Sequence, residues 1–227
     1  MSTSRAAIDA AIAKGPLSRF PRDQVKRWLE AAVRLEAPPG SAIYHEHDEP
    51  RAGVVIHGLL RLYMTAPDGR QVTVRYARPG QLLGIPSVVG GPAPVSAQML
   101  THTVVLMLPV EALRRAGHED ADVAWLFAEE ICWRLYDALE GLAGNAFGTL
   151  KQRACRHLLE LAASSQTGNS LVAVVTQQEL ANAVGSARVA VARILAELRQ
   201  GGLIRTGAAG IELLDPLAVH EAAWARE

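Results

Sequence analysis

The chain has 227 residues, a length that suits one or two domains. Its 23 basic and 23 acidic side chains cancel, which excludes a broadly basic nucleic-acid binder and confines any DNA contact to a small, shaped patch. The two cysteines lack metal-site or disulfide spacing, no apolar run reaches membrane-spanning length and the N-terminus lacks a signal-peptide core, so we expect a cytoplasmic protein without membrane contact.

The first part of the chain changes from a helical to a strand pattern. Residues 5–36 carry apolar side chains at helical spacing, among them Ile8, Ile12 and Leu35. Residues 40–109 instead contain short apolar runs separated by turns, and Asp68-Gly69 between two of them is a strong hairpin signal. We therefore predict N-terminal helices followed by an antiparallel sandwich or barrel of short strands.

Residues 119–147 are predicted to form one long helix with an apolar stripe. Positions 124, 128, 131, 135, 138 and 142 are all apolar, and their alternating spacing of four and three residues is that of a coiled-coil seam. The stripe predicts either a helix buried against its own domain or a dimer interface, for which the candidate residues are Ala128, Ile131, Leu135, Ala138 and Leu142. Gly148-Thr149 then breaks the helix and predicts a hinge.

Two short helices joined by a glycine turn are predicted near the C-terminus. Thr176 and Glu179 have the spacing of a capping box, Gly185 suits a turn position with positive φ, and Ser186 can cap the second helix. The apolar side chains of the second helix should face inward, while Arg188, Val189 and Arg193 should point elsewhere. This is the pattern of a helix-turn-helix, whose second helix reads bases in the major groove; the alternative is an ordinary helical hairpin.

The residues that follow predict a wing beside the second helix. Residues 203–206 and 210–214 are apolar runs that flank Gly207-Ala208-Ala209, and Asp215-Pro216 opens a last short helix. Residues 176–206 hold four arginines and two glutamates, a local charge of +2. This excess is modest, so we expect phosphate attraction to be shared between two subunits or to come from backbone N–H groups.

The chain is predicted to contain, in this order, a strand-rich sensor, a long helix and a winged helix-turn-helix. This order resembles the Crp/Fnr family of bacterial transcription regulators over almost the whole chain. The local matches are residues 55–63, 68–70 and 79–84 and, above all, residues 176–195, which read TQQELANAVGSARVAVARIL. The resemblance implies an α+β fold: residues 1–118 form a cyclic-nucleotide-binding-like β-roll with N-terminal helices, 119–147 a dimerisation helix and 148–227 the DNA-binding domain. It also implies that the chain is no enzyme but a homodimer on palindromic double-stranded DNA, with RNA polymerase as a further partner if it is an activator.

The resemblance also assigns the DNA-binding residues. Arg188, Val189 and Arg193 occupy the family's base-reading positions, with Arg193 expected on guanine O6 and N7. The remaining members of the set are expected to hold phosphates or flank the groove: Thr176, Gln177, Gln178 and Ser186. Family members commonly have a glutamate where Val189 stands, and a valine can only meet a thymine methyl group, so we predict a half-site that differs there from the usual TGTGA or TTGAT.

The departures from the family concern the effector. Members that bind cyclic nucleotides carry Gly-Glu for the ribose and, further along, an Arg-Ser or Arg-Thr pair for the cyclic phosphate, whereas this chain has Gly84-Ile85 and Val95-Ser96. A buried phosphate without its cation would be strongly disfavoured, so we expect no control by cyclic AMP. The expected pocket, for an unknown small-molecule effector that is apolar or absent, is completed by Leu135 and Leu139.

Other chemistries remain as alternatives. The iron–sulfur cluster of some family members needs several cysteines, and none precedes Cys132, which we expect to pack inertly like Cys155. No cofactor is predicted, but a haem-responsive regulator, or a cyclic-nucleotide-responsive one, stays an alternative within the same fold; the strand region offers four histidines as haem ligands, His45, His47, His57 and His102. His45 and His47 on one strand could instead hold a metal in a cupin-like enzyme, the enzymatic alternative.

Overall fold

The structure is a computed structural model that describes residues 5–69, 71–164 and 170–225, with the side chains of residues 140–147 left out. The chain divides into two compact units, Met1–Ala138 and Leu139–Glu227. Among the described residues, no helix combines the length and the apolar character needed to cross a membrane. Mixed helix and sheet, with strands concentrated in the first unit, confirm the predicted α+β class.

The first unit begins with helices that pack on an aromatic core. Helix α1 (Arg5–Lys14), a 3-10 turn (Pro16–Arg19) and helix α2 (Arg22–Glu30) precede the strands. The rings of Phe20 and Trp28 meet edge to face at 5.5 Å, and Phe127 lies 5.4 Å from Phe20. These rings belong to the helix-side core, an apolar cluster that joins the helices to one face of a sheet.

Eight strands form two four-stranded antiparallel sheets that build the predicted roll. One has the order β1-β8-β3-β6 and the other the order β2-β7-β4-β5. The strands are β1 (Val33–Ala37), β2 (Ala42–Tyr44), β3 (Ala52–His57), β4 (Leu60–Thr65), β5 (Gln71–Ala77), β6 (Leu82–Leu83), β7 (Ser96–Met99) and β8 (Thr103–Leu108). Both sheets contribute side chains to a second cluster, the strand-side core, which includes Leu62, Ala77 and Val105. The hairpin predicted at Asp68-Gly69 is confirmed between β4 and β5, where Gly69 has a φ of +85°.

Two helical predictions in this unit are corrected. Leu35 lies on strand β1 rather than on a helix, because residues 33–37 pair with β8 and Leu35 packs against the strand-side core. The predicted long helix begins at residue 121 instead of 119. Asp120 ends the preceding helix α4 (Val110–Glu119), and its carboxylate accepts the backbone N–H of Asp122, so it opens a new helix.

Helix α5 (Ala121–Phe147) is the long helix, and a short helix α3 (Ile85–Gly90) lies within the strand region. Thr149 and Gln152 close a reciprocal capping pair at the start of α6 (Leu150–Ser164), which confirms the predicted break. The second unit then contains β9 (Val172–Ala173), α7 (Gln177–Ala183), α8 (Arg188–Gln200), β10 (Ile204–Gly207), β11 (Gly210–Leu213) and α9 (Pro216–Trp224). The three strands pair antiparallel in the order β10-β11-β9.

Candidate DNA-binding surface and effector domain

Helix α7 begins at the predicted capping box. The Thr176 hydroxyl accepts the backbone N–H of Glu179 at 3.2 Å, and the Glu179 carboxylate accepts the backbone N–H of Thr176 at 2.8 Å. This hydrogen bond from the Thr176 backbone lowers the pKa of Glu179. Leu180 and Ala181 are buried, so the helix is fixed in the unit by one face and by its first turn.

The turn between α7 and α8 differs in one detail from the prediction. Gly185 has the expected positive φ of +64°. Ser186 is not the N-cap of α8: its backbone N–H donates to the Ala181 carbonyl at 2.9 Å, and Ala187 occupies the cap position without a side-chain bond. The turn is therefore one residue longer than predicted, and the Ser186 hydroxyl is not engaged by the first turn of α8.

Helix α8 separates its apolar and polar faces as predicted. Val191, Leu195 and Leu198 are buried, and Ile194 is half-buried. On the opposite side Arg188 and Arg193 are exposed, and Val189 has an exposed fraction of 75%. A helix with a buried apolar face and a solvent-facing stripe of arginine, valine and arginine can present that stripe to a partner surface.

The four arginines of this region fall into two classes. Arg199 donates to the Thr206 hydroxyl at 3.2 Å, and Arg205 pairs with Glu212 at 2.6 Å, so both are engaged within the wing and its neighbourhood. In the described part of the chain, Arg188 and Arg193 form no hydrogen bond or ion pair. The two guanidinium groups that have no partner within the described residues are thus the two that the sequence places at base-reading positions.

The remaining predicted contact residues lie around the N-terminus of α7. Gln178 is exposed and donates to Asn182 at 3.0 Å along the helix, whereas Gln177 is half-buried. The Thr176 hydroxyl is already occupied by the capping box. Contact of these three side chains with phosphate stays a prediction.

The predicted wing is present as the hairpin β10–β11. Ile204 pairs with Leu213 and Gly207 with Gly210, and Ala208 and Ala209 at the tip are exposed. Asp215 caps α9 by accepting the N–H of Ala218 at 2.9 Å, as its position before Pro216 predicts. Helix, turn, helix and wing thus form one continuous arrangement in the second unit.

The residues of the predicted effector pocket lie in different surroundings. Ile85 is buried in the helix-side core, with an exposed fraction of 2%, rather than in the strand-side core. Gly84, at a φ of +75°, would place an added Cβ 1.7 Å from the Arg51 carbonyl oxygen, so only glycine fits. Val95 is half-buried, and the Ser96 hydroxyl accepts the Glu46 N–H at 3.1 Å. The structure gives Ile85 a packing role, and its part in an effector pocket stays a prediction.

Charged side chains of β5 and α5 form a cluster that the sequence pattern does not predict. Arg75 donates from Nη2 to the Leu82 carbonyl at 2.9 Å. Arg134 on α5 bonds Glu130 through Nε at 2.7 Å and through Nη2, and Asp137 through Nη1 at 3.0 Å. Glu130 is buried, and this burial raises its pKa, while Arg134 opposes the increase.

The candidate dimer residues are unequally exposed. Ala128 is exposed, and Leu135 has an exposed fraction of 55%. Ile131 instead packs partly against the helix-side core, Ala138 is half-buried, and the Leu142 side chain lies outside the described residues. Further exposed apolar side chains on α5 are Trp125, Trp133, Tyr136 and Leu139. Helix α5 therefore serves its own core and also leaves an apolar strip on its outer side.

Cysteines and histidines behave differently from the prediction in two places. Cys132 is exposed, which corrects its expected burial, whereas Cys155 is buried as expected.

His45 and His47 do not share a strand: β2 ends at Tyr44, and His47 has a left-handed φ of +63°. The strand geometry that the cupin alternative requires is therefore absent at this pair, and no group of three potential metal ligands occurs within the described ranges.

Comparison with known proteins agrees with this arrangement. A family model described as a cyclic nucleotide-binding domain matches residues 34–120, and one described as a Crp-like helix-turn-helix domain matches residues 152–221. The transcriptional regulator LdrP of Thermus thermophilus is 34% identical over 73% of this chain and 84% of its own length. The CRP-like cAMP-activated global transcriptional regulator of Mycobacterium tuberculosis is 28% identical over 75% of this chain and 79% of its own.

A solved Crp/Fnr-family structure from Eubacterium rectale shares the fold, with a TM-score of 0.59 and 20% identity over 91% of this chain and 96% of its own. Three findings identify the family. Two family models match consecutive parts of the chain, one relative is more than 30% identical over most of both chains, and the helix-turn-helix geometry is present. The chain belongs to the Crp/Fnr family of transcriptional regulators and carries its DNA-binding helix-turn-helix.

Proposed function

We propose that this regulator reads DNA as a homodimer through α8 and is controlled by something other than cyclic AMP. The observation that carries the proposal is the pair of exposed guanidinium groups, Arg188 and Arg193, that have no partner among the described residues. Guanidinium groups that are free of intramolecular bonds can meet guanine O6 and N7 without first breaking an ion pair. In this proposal the protein acts by binding, not by catalysis.

The proposed contacts fall into two groups. Arg193, Arg188 and Val189 lie on the exposed side of α8, where they would face base edges. Thr176, Gln177, Gln178 and Ser186 lie at the start of α7 and in the turn, where they would flank the groove or hold phosphates. Since backbone contacts carry no sequence information, we assign specificity to the first group and registration on the duplex to the second.

The dimer is proposed from the outer strip of α5. Leu135 and Leu139 are each more than half exposed, and the adjacent ring pair Trp133–Tyr136 is exposed as well. Large apolar side chains on one strip of a long helix are typical of an interface between chains. A symmetric dimer would place two recognition helices on half-sites about one helical turn apart, as palindromic sites require.

Independence from cyclic AMP is proposed from two positions. The relative from Mycobacterium tuberculosis is named as cAMP-activated. In this chain Ile85 is buried in the helix-side core and cannot accept a ribose hydroxyl, and Val95 cannot pair with a cyclic phosphate. We expect cyclic AMP and cyclic GMP to leave the melting temperature unchanged. A saturable increase with either nucleotide would favour the cyclic-nucleotide alternative, and a tightly held haem in purified protein would favour the haem alternative.

The test of DNA reading is a binding selection from random duplexes with the purified full-length protein. We expect a palindrome that keeps guanine opposite Arg193 and departs from TGTGA at the position facing Val189, because valine offers only a methyl contact. The matched control is Val189→Glu, which restores a hydrogen-bond acceptor and should shift that position toward TGTGA. Recovery of an ordinary TGTGA palindrome by the unmodified protein, or no enrichment at all, would contradict the proposal. If the regulator activates transcription, we propose RNA polymerase as its further partner.

A further inference from the structure

Arg75 places a positive charge on the inner, apolar face of the β-roll. In the β4–β5 ladder Leu62 pairs with Arg75 and Leu60 with Ala77. Directly opposite residues of antiparallel strands point to the same side of a sheet, and Leu60, Leu62 and Ala77 all belong to the strand-side core. The Arg75 side chain therefore leaves the backbone on the face of the sheet that lines the interior of the roll.

The guanidinium group of Arg75 is incompletely satisfied there. Its Nη2 donates to the neutral carbonyl of Leu82 at 2.9 Å. Its Nη1 is sealed from solvent and has no hydrogen-bond partner among the described residues. Buried polar groups in folded proteins are nearly always bonded, and an ionised one without a partner is especially unfavourable. An orphaned buried guanidinium nitrogen indicates that a partner other than the described residues belongs at this place.

The neighbouring charges do not supply that partner. Arg134 engages Glu130 and Asp137, the two carboxylates of α5 that influence Arg75. Arg75 itself has no carboxylate within ion-pair distance in the described part of the chain. Burial, followed by the positive charge of Arg134, lowers the pKa of Arg75 to about 10. The carboxylates of Glu130 and Asp137 oppose this decrease but form no ion pair with Arg75, so Arg75 remains a buried cation at neutral pH.

We propose that Arg75 is the recognition group for a small anionic effector, a molecule with a carboxylate or phosphate group that binds inside the β-roll. Arg75 would replace the cation that Val95 fails to provide, but from a different strand. A guanidinium group matches the two oxygens of such an anion with paired, charge-assisted hydrogen bonds. Tyr44 packs against the strand-side core, and since burial raises its pKa, its hydroxyl keeps a proton to donate.

The same cluster connects the proposed site with the dimer helix. Arg134 is part of the positive field around Arg75 and is held by Glu130 and Asp137 on α5. An anion at Arg75 would attract Arg134 and weaken these two ion pairs. Leu135 and Ala138, on the same stretch of α5, are candidate dimer residues, so binding can alter the helix that the dimer uses. This inference rests on the proposed role of the β-roll as effector domain.

The experiment titrates the full-length protein, without DNA, in a chloride buffer by calorimetry and by thermal unfolding. The probes are inorganic phosphate, acetate and succinate, each compared with sodium chloride at equal ionic strength, so that phosphate and carboxylate ligands are distinguished. We expect at least one probe to bind saturably and to raise the melting temperature above the chloride control. Arg75→Gln should weaken that binding by about tenfold or more, because it removes a charge-assisted contact.

The matched control is Arg61→Gln on the adjacent strand. Arg61 is also buried, but Thr73 and Gln71 accept its Nε and Nη1 hydrogens at 2.7 and 2.8 Å, so its replacement should leave anion affinity unchanged. Should Arg75→Gln fail to fold, Arg75→Lys keeps the charge and loses the paired geometry, and it should bind more weakly than the original protein. Absence of saturable binding of every probe to the unmodified protein would overturn the inference, as would undiminished affinity in the Arg75 variant that folds. Since no DNA is present, either result leaves the DNA-binding proposal to its own selection experiment.

Discussion

Thr176 and Glu179 hold each other through two hydrogen bonds that cross in opposite directions between side chain and backbone. The bonds fix the first turn of α7 and, through the buried Leu180 and Ala181, the position of the whole helix. The turn to α8 follows at the other end of α7, so this pair supports the helix from which α8 continues. A local contact at the edge of the domain thus supports the surface proposed to read DNA.

The first prediction concerns this cap. Thr176→Ala should lower the free energy of unfolding of the DNA-binding unit by about 1 kcal/mol, since an orphan N–H loses its acceptor. The bonded Glu179 has a lowered pKa, so its contribution is present at neutral pH and is lost as the pH falls through the folded-state pKa. Chemical denaturation of full-length protein at several pH values measures both effects.

Ser186→Ala is the matched control for the cap. The sequence suggested Ser186 as the N-cap of α8, but Ala187 holds that position and makes no side-chain bond. We expect the Ser186 variant to unfold like the original protein. If Ser186→Ala cost as much as Thr176→Ala, the assignment of the two caps would be wrong.

The second prediction concerns base reading. Arg193→Ala should reduce affinity for the selected duplex, with a loss of discrimination of about 1–3 kcal/mol, because a paired contact to guanine disappears. Affinity for a scrambled duplex should change little, and the oligomeric state should not change. Fluorescence anisotropy with both duplexes measures the discrimination directly.

Arg199→Ala serves as control for Arg193, as it removes the same charge from the same helix. Arg199 is engaged with Thr206 at 3.2 Å and lies in the last turn of α8. We expect it to weaken binding to both duplexes equally, if at all, since a phosphate contact is insensitive to sequence. Equal discrimination by the Arg193 variant and the original protein would remove Arg193 from the reading set.

Local signals in the sequence predicted most of the DNA-binding unit, apart from the cap assigned to Ser186, and less of the sensor. The capping box, the turn glycine and the Asp215-Pro216 helix start are each defined by a few neighbouring residues, and each is confirmed. Leu35 was misassigned because its strand depends on pairing with β8, about seventy residues later. The start of the long helix was placed two residues too early because, among the polar residues that precede it, only the bonded carboxylate of Asp120 marks the new helix.

Arg75 illustrates why the candidate effector site could not be read from one sequence. The β4–β5 ladder shifts register between Leu62, which pairs with Arg75, and Tyr63, which pairs with Thr73. One extra residue in β5 breaks the two-residue alternation, so the sequence alone does not tell which face Arg75 takes. The charges on α5 that surround it come from a segment more than fifty residues away. Because this site depends on strand register and on a distant helix, it can be recognised only once the three-dimensional fold is known.

The third prediction concerns the dimer. Leu135→Asp should convert the protein to monomers, because it places two carboxylates in an apolar strip where symmetry brings like residues together. Sedimentation measures the state, and the melting temperature verifies that the chain still folds. Val33→Asp is the control, since Val33 is also an exposed apolar residue, but on β1. A Leu135 variant that remains dimeric, or a Val33 variant that dissociates, would place the interface elsewhere.

The last prediction uses the buried thiol of α6. Burial raises the pKa of Cys155 from an ordinary value of 9.0 to about 11, so the folded state holds its proton more tightly than the unfolded state. The resulting stabilisation is complete below pH 9 and is lost as the pH rises toward 11. Between these values the original protein should therefore lose stability relative to Cys155→Ala, as denaturation at a series of pH values measures. A thiol reagent provides the control: at neutral pH it should modify the exposed Cys132 in the folded protein and the buried Cys155 only after unfolding. Parallel pH curves for the original protein and Cys155→Ala would show that Cys155 ionises as easily as an exposed thiol.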